Sequence, residues 1–430
     1  MERVQFQQEQ MLAELKDLVE KDIFTKAESK QIMKKRTQFE TALVRRVAKK
    51  SDFLRYAAYE MGLEQLRRKR VDRLKIPDGP ATVSDYALVR RQFHIFERAL
   101  KKFKADVGLW IQYIDVAKRE GAYTLVGRVS ARAIQLHPNT PALYILAAAH
   151  EMAQGSPSGA RTLLQRGIRI NPESVDMWRE YVRMELAFIE SLRRRWDVLG
   201  LDHKGKGKEE DLSHVAQAEE DLLAADADQG AEARAAIMQG AIVKSVIVSA
   251  AQALDKTELF EALIAVIHEF PLADELARVL LDQVYGLLRA ARPRDARAAR
   301  ILAERYLAGD LAGEALVDGV QQANEEMLTL CGAGPETMFE AYVNLIAALC
   351  NRVVDSSLQL YLVSSVRGLI VRIGGGSPAL LAGHIRLLSR WSGESRERVV
   401  QRGREYVARV PGSGVVEAAL EEVLVGAGGE

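Results

Sequence analysis

The sequence predicts an all-α fold, a solenoid of antiparallel helix pairs, and three observations predict it. Trp110, Tyr144 and Trp178 recur every 34 residues, each heading a helical segment, and a fixed period of this size marks a helical repeat. The neighbouring columns keep phase. Tyr113, Ala147 and Tyr181 stand three residues on, and Ala117, Glu151 and Glu185 seven on, offsets that fall on one helical face. Strand signal is nearly absent: alternation over five or more residues is rare, and the β-branched run at 242–248 sits inside helical phasing.

Taken in order, residues 1–30 read as an N-terminal capping helix. Met11, Leu12, Leu15, Leu18 and Val19 form its apolar stripe, a turn follows at 22–24, and such a helix can cover the first exposed face of a stack. Residues 31–199 read as the N-terminal repeat array. Phe53, Tyr56 and Glu60 reproduce the aromatic, aromatic and acidic columns, and Phe39-Glu40-Thr41-Ala42-Leu43 matches Phe96-Glu97-Arg98-Ala99-Leu100. Phe39 to Phe96 and Phe53 to Trp110 are both 57 residues, so a single insertion explains both. The turn residues Pro77, Asp78, Gly79 and Pro80 place it at 76–81, with a longer helix before it.

In the later second helices, Ser130-Ala131-Arg132-Ala133-Ile134 lies 34 residues before Leu164-Gln165-Arg166-Gly167-Ile168, and Pro138 lies 34 before Pro172. The small residue, Ala133 or Gly167, is expected to let two helices approach closely. The aromatics Phe53, Tyr56, Trp110, Tyr113, Tyr144, Trp178 and Tyr181 are expected to pack helix against helix, each burial contributing roughly 2–3 kcal/mol. A base-stacking platform is the rival use of such a ladder. Glu60, Glu151 and Glu185 are expected to face Arg98, Arg132 and Arg166 across a helix pair.

Residues 200–230 change composition abruptly, with glycine and lysine to Lys208 and then acidic, alanine-rich sequence. They read as a flexible charged insertion. Residues 231–425 read as a degenerate C-terminal helical array. Phe270-Pro271 ends a repeat, Phe339 and Tyr342 restore the first-helix aromatic pair, and Val400-Gln401-Arg402-Gly403 echoes Leu164-Gln165-Arg166-Gly167 with Pro411 beyond it. The run Gly374-Gly375-Gly376-Ser377-Pro378 breaks helix but lacks the GxxxxGK[ST] pattern of a phosphate loop. The tail from Gly426 is expected to fray.

Composition agrees with a repeat protein. Of 430 residues, 48% are hydrophobic and 28% charged, a globular balance. The least charged stretch, 133–150, contains Pro138 and Pro141 and is no continuous spanning helix, so no membrane partner is expected. The N-terminal decapeptide has neither an apolar core nor a small-residue cleavage site, which predicts an intracellular chain. Cys331 and Cys350 lack a second pair for zinc and read as buried free thiols.

No constellation of catalytic residues stands out. His150-Glu151-Met152-Ala153-Gln154 has Gln where a zinc HExxH helix needs its second histidine, and Gly205-Lys206-Gly207-Lys208 has no following Ser or Thr for magnesium. No catalytic residue, cofactor or metal is expected, and the chain reads as non-enzymatic.

An aromatic, two residues, an aromatic, three residues and an acid, followed by a helix with Arg-Ala and a closing proline, resembles the half-a-tetratricopeptide (HAT) repeat. Trp178, Tyr181 and Glu185 carry the pattern most fully. That resemblance implies a right-handed superhelical solenoid and, since HAT repeats are largely confined to RNA-processing assemblies, a role beside RNA. A narrower resemblance lies in Glu9-Gln10-Met11-Leu12-Ala13-Glu14-Leu15, Lys35-Arg36-Thr37-Gln38-Phe39-Glu40, Phe53-Leu54-Arg55-Tyr56-Ala57-Ala58-Tyr59-Glu60 and Leu66-Arg67-Arg68-Lys69-Arg70. These segments resemble the sixth family of U-three small-nucleolar-RNA-associated proteins, HAT-repeat subunits of the small-subunit processome. The segment from Ala236 to Val243 resembles that family's restart after its central insertion. The resemblance implies a nucleolar scaffold in a subcomplex of β-propeller proteins, near small nucleolar RNA and precursor ribosomal RNA. Splicing and messenger-RNA 3′-end processing, where other HAT proteins act, remain alternative settings.

Charge is uneven along the chain. Residues 1–104 hold 25 Lys and Arg against 15 Asp and Glu, whereas 201–235 hold 4 against 10. The basic residues Lys34, Lys35, Arg36, Arg45, Arg46, Lys49 and Lys50, then Arg67, Arg68, Lys69, Arg70 and Arg73, are the candidate contacts for a polyanion or an acidic protein neighbour. Direct RNA binding through this basic third is the functional alternative to a scaffold.

Overall fold

The computed structural model describes residues 2–45, 47–75, 82–199, 236–272, 274–309, 313–332, 335–353, 355–374 and 376–425. The expected insertion at 200–230, the turn at 76–81, Arg46 and the tail from Gly426 lie outside them. No strand occurs among the described residues. The chain forms two compact units, 1–177 and 178–430.

The first unit contains helices α1 (Glu2–Glu20), α2 (Lys26–Val44), α3 (Lys50–Leu74), α4 (Val83–Lys102), α5 (Val107–Arg119), α6 (Tyr123–Leu136), α7 (Pro141–Ala153) and α8 (Pro157–Ile170), and ends in the first residues of α9 (Val175–Leu199). Successive helices pack as antiparallel pairs. Helix α3, with 25 residues, is nearly twice as long as the 13-residue α5 and α7, as one insertion before the second pair requires. Helix starts follow local chemistry. Thr25 and Glu28 make a reciprocal capping box at α2, the Asp106 carboxylate accepts the Leu109 amide at 3.2 Å at α5, and Pro141 and Pro157 open α7 and α8.

The aromatic columns lie in the core: Tyr56 and Tyr144 are fully buried, and Phe53, Trp110, Tyr113, Trp178 and Tyr181 are at most 6% exposed. Gly167 marks a close approach, since a Cβ there would lie 2.9 Å from Tyr144 Cγ and 2.4 Å from Met177 Cε. The second helices are also tied to one another. Asn171 Nδ2 donates to the Pro138 carbonyl at 3.1 Å, and His137 Nε2 meets the Lys104 carbonyl at 2.8 Å. Both residues and both carbonyls are 34 positions apart, so this rung repeats with the sequence period. The arginine rungs depart from expectation. Arg98 pairs with Glu40, and Arg132 with Glu97, both at 2.9 Å or less. The partners are acids of the preceding second helix, because arginines stacked one above another reach sideways to the neighbouring repeat and not across their own pair.

In the second unit lie α10 (Ala241–Ala253), α11 (Thr257–Glu269), α12 (Asp274–Ala291), α13 (Ala296–Glu304), α14 (Glu314–Cys331), α15 (Glu336–Arg352), α16 (Ser356–Arg372), α17 (Pro378–Trp391), α18 (Arg396–Arg409) and α19 (Gly414–Val425). The β-branched run 242–248 is helical within α10. A continuous core runs from Ala299 to Ala419, with Phe339 and Tyr342 among its members. Glycine again sets helix approach: a Cβ on Gly383 would lie 2.4 Å from Val343 Cγ1, and one on Gly403 2.6 Å from Leu420 Cδ1. Glu336 spans from α15 to cap α17, accepting from Ser377 Oγ and the Ala379 amide at 2.8 Å each.

Candidate functional site

The basic segments of α2 and α3 divide into charges that hold the helices together and charges that face outward. Arg36 is the clearest correction to the surface expectation. It is fully buried, its Nε donating to Glu60 Oε1 at 2.7 Å, its Nη2 to Glu60 Oε2 at 2.8 Å and its Nη1 to Glu14. Arg91 of α4 closes the set on Glu14 at 2.8 Å. Four helices, α1 to α4, thus each supply one charge to a single buried node. Burial works against the charge of Arg36, but Glu60 and Glu14 more than offset it and hold the guanidinium protonated. Helical phasing puts Arg36 on the inward stripe with Ile32, Glu40 and Leu43, so a run of three basic residues yields two outward charges and one inward.

Four more of the nominated cations are engaged. Lys50 pairs with Asp106, Arg67 with Glu64 at 2.8 Å, and Arg68 with Glu64 at 2.7 Å and with Glu120. Arg70 grips Glu28 at 2.7 Å, donates to the Ile23 carbonyl and lies 4.8 Å from the Phe24 ring centroid. That hydrogen bond from Arg70 holds the Glu28 carboxyl down at about 2. Lys34, Lys35, Arg45, Lys49, Lys69 and Arg73 are exposed and make no ion pair with a described residue. Arg46 lies outside the described residues.

Lys34 and Lys35 border a groove of about 480 Å³ between α2 and α3, whose floor includes Phe24, Ile32, Leu63 and Leu66. Leu66 is 38% exposed there. An apolar floor with two uncommitted ammonium groups at its edge suits an amphipathic segment that carries acid. The sequence nominated these lysines by their charge but contained no signal for the groove, which depends on how α2 crosses α3. Glu14 and Arg91 also escaped notice, since Glu14 stands alone and Arg91 has only Arg90 beside it. Glu40 and Glu97 were legible only as matched column residues beside Phe39 and Phe96.

The sequence's weakest chemical candidates resolve into structure. His150 is buried, with its ring centroid 6.1 Å from that of Tyr123. Among the described residues no group of three His, Cys, Asp or Glu is placed to hold a metal. Cys331 and Cys350 are free and buried, and burial pushes their thiols up to about 12 and about 11, away from a reactive thiolate. No described helix is long and apolar enough to cross a membrane.

Residues 8–91 match the family model described as U3 small nucleolar RNA-associated protein 6, and residues 141–184 match a tetratricopeptide-repeat model. The U3 small nucleolar RNA-associated protein 6 of Schizosaccharomyces pombe is 43% identical over 199 residues, 46% of this chain and 41% of the relative. The Mus musculus homolog is 31% identical over 287 residues, 66% of this chain and 44% of the relative. The Homo sapiens homolog is 36% identical over 194 residues, 45% and 32% respectively. The chain spans less than half the length of these curated relatives. The matches meet the likeness read from the N-terminal motifs and place it on the part of the chain that carries the buried node.

Proposed function

We propose that this chain is a non-catalytic scaffold subunit of the small-subunit processome. In that role it holds protein partners and nearby RNA together while precursor ribosomal RNA for the small subunit is processed in the nucleolus, beside small nucleolar RNA. One observation carries the reading: the stretch matching the U3-associated family model, 8–91, contains Glu14, Arg36, Glu60 and Arg91, the four charges that bind four helices into one block. Such a block presents fixed external grooves, and repeat stacks use continuous surfaces of this kind to hold partners. The expected partners are β-propeller proteins of the same processome subcomplex, with the groove beside Lys34 and Lys35 as a docking surface.

Affinity purification with and without RNase tests this. Protein partners that survive RNase support the scaffold, and Lys34→Glu/Lys35→Glu is expected to lose a subset of them. Loss of every partner on RNase treatment, with the purified chain retaining RNA, would replace the scaffold by direct RNA binding through the basic third. The ion pairs of Arg36, Lys50, Arg67, Arg68 and Arg70 weigh against that second reading, since they withdraw five of the nominated cations from phosphate. A scaffold in splicing or messenger-RNA 3′-end processing would co-purify spliceosomal or messenger RNA in place of small nucleolar RNA.

A further inference from the structure

A second cation cluster lies outside every residue the sequence nominated. Between α4 and α6 opens a shallow cleft of about 420 Å³ lined by Arg90, Phe93, Arg128 and Arg132, with Glu97 and Tyr113 at its base. The volume is within the range of sites that take one small ligand. Its single carboxylate is already engaged: Glu97 accepts from Arg132 at 2.8 Å and from the Tyr113 hydroxyl at 3.3 Å. Arg132 is pinned further, its guanidinium 5.4 Å from the Trp110 ring centroid.

Arg90 and Arg128 are different. Both are exposed, and neither side chain makes an ion pair or hydrogen bond with a described residue, whereas Arg91 next to Arg90, and Arg132 one turn on from Arg128, both have carboxylate partners. One comes from each helix, and the half-buried Phe93 ring lies in the cleft with them. Phe93 is itself braced by Tyr113, with centroids 6.1 Å apart. Two uncommitted guanidiniums on separate helices beside one ring match a backbone of single charges carrying a flat base, since guanidinium binds phosphate oxygens and a phenyl face accepts any base. A phosphorylated side chain, by contrast, concentrates two charges at one point and calls for donors that converge there. Arg132 is committed to Glu97, so Arg90 and Arg128 alone are left for such a group.

We propose that the α4–α6 cleft binds single-stranded RNA, with Arg90 and Arg128 on phosphodiesters and Phe93 against a base. This rests on the reading that the chain works beside RNA, and adds a direct contact to it. The test is fluorescence-anisotropy binding of the full purified chain to labelled oligouridine across a salt series. Arg90→Glu/Arg128→Glu is expected to weaken binding about tenfold or more and to flatten the slope of log affinity against log salt by about 1.4, the contribution of two phosphates on a single strand. Phe93→Ala is expected to weaken binding about tenfold with the slope unchanged. Arg90→Lys/Arg128→Lys should keep most of the affinity, and melting curves of the arginine variants should match the parent. An unaltered affinity and slope in the double glutamate variant would overturn the proposal. So would displacement of the oligouridine by a phosphoserine peptide at equal concentration. Neither result touches the RNase-resistant partners that test the scaffold.

Discussion

Phe96 and Tyr113 stack with ring centroids 5.3 Å apart and planes 8° from parallel, and Phe39 and Tyr56, each 57 residues earlier, stack at 5.1 Å and 9°. The same contact is thus built twice, from a second helix to the first helix that follows it. Aromatic pairs contribute roughly 0.5–1.5 kcal/mol beyond the area they bury, so the stacking joins one repeat to the next as well as filling its core.

The Arg36–Glu60 pair makes the N-terminal block sensitive to unbalanced charge. Arg36→Met is expected to destabilise the protein by about 3–5 kcal/mol, because it leaves Glu60 buried without its cation and Glu14 with Arg91 alone. Replacing all four charges of the node together, Glu14 and Glu60 by Leu and Arg36 and Arg91 by Met, should restore most of that loss. Urea denaturation of the two variants checks the pattern; equal losses in both would show that the charges add stability themselves.

The two arginine rungs should differ in strength. Glu40 is 3% exposed and Glu97 31%, so a double-mutant cycle for Arg98 with Glu40 is expected to give a larger coupling than one for Arg132 with Glu97. The latter should fall within about 0.2–1 kcal/mol, the range of exposed pairs. The reverse order would remove burial as the explanation.

Gly167 and Gly127 should respond oppositely to alanine. At Gly167 the new methyl would press on Tyr144 and Met177, an overpacking expected to cost about 1–3 kcal/mol. At Gly127, within α6, nothing lies within 4 Å of the added Cβ, and the substitution is expected to stabilise by about 0.5–1 kcal/mol through helix propensity. Thermal melts distinguish the two.

Stability of the second unit should fall with acid before the carboxylates titrate. His384 is buried, its Nδ1 2.9 Å from the Tyr406 hydroxyl; burial first, then Arg402 and Arg367, lowers it from 6.5 to about 3. Its folded value lies below its unfolded one, so the unfolded chain takes up the proton first and folding weakens as pH drops from 6.5 towards 3. Between pH 6.5 and 5 the loss is expected to be about 2 kcal/mol. His94, in the first unit, is lowered in the same direction, so the readout is the difference from His384→Gln, which cannot titrate. An identical pH slope in that variant would exclude His384 as the source.

Much of the fold was legible because helical packing writes itself into spacing. The 57-residue step from Phe39 to Phe96 anticipated a lengthened helix, and α3 is that helix. Gly167 announced a close approach by being small in a column where Ala133 is its counterpart. The candidate site was less legible. Arg36 read as part of a basic run with Lys34 and Lys35, yet one turn of helix separates an outward charge from one at the centre of four helices. Arg90 and Arg128 went unnoticed because neither lies in a basic run longer than two residues, and their significance comes from what does not neutralise them.

The sequence by itself determined the phase of this protein: where helices begin and end, which rings face inward, and how many residues separate equivalent positions. These follow from local propensity and from the periodicity of apolar side chains, both readable one turn at a time. Only the tertiary structure decided the fate of the charges. A guanidinium's availability depends on whether a carboxylate from another helix reaches it, and Glu14 meets Arg36 across 22 positions, Glu40 meets Arg98 across 58, while Arg128 meets none among the described residues. Charge pairing is set by distance in space, and the linear order of residues carries no record of it.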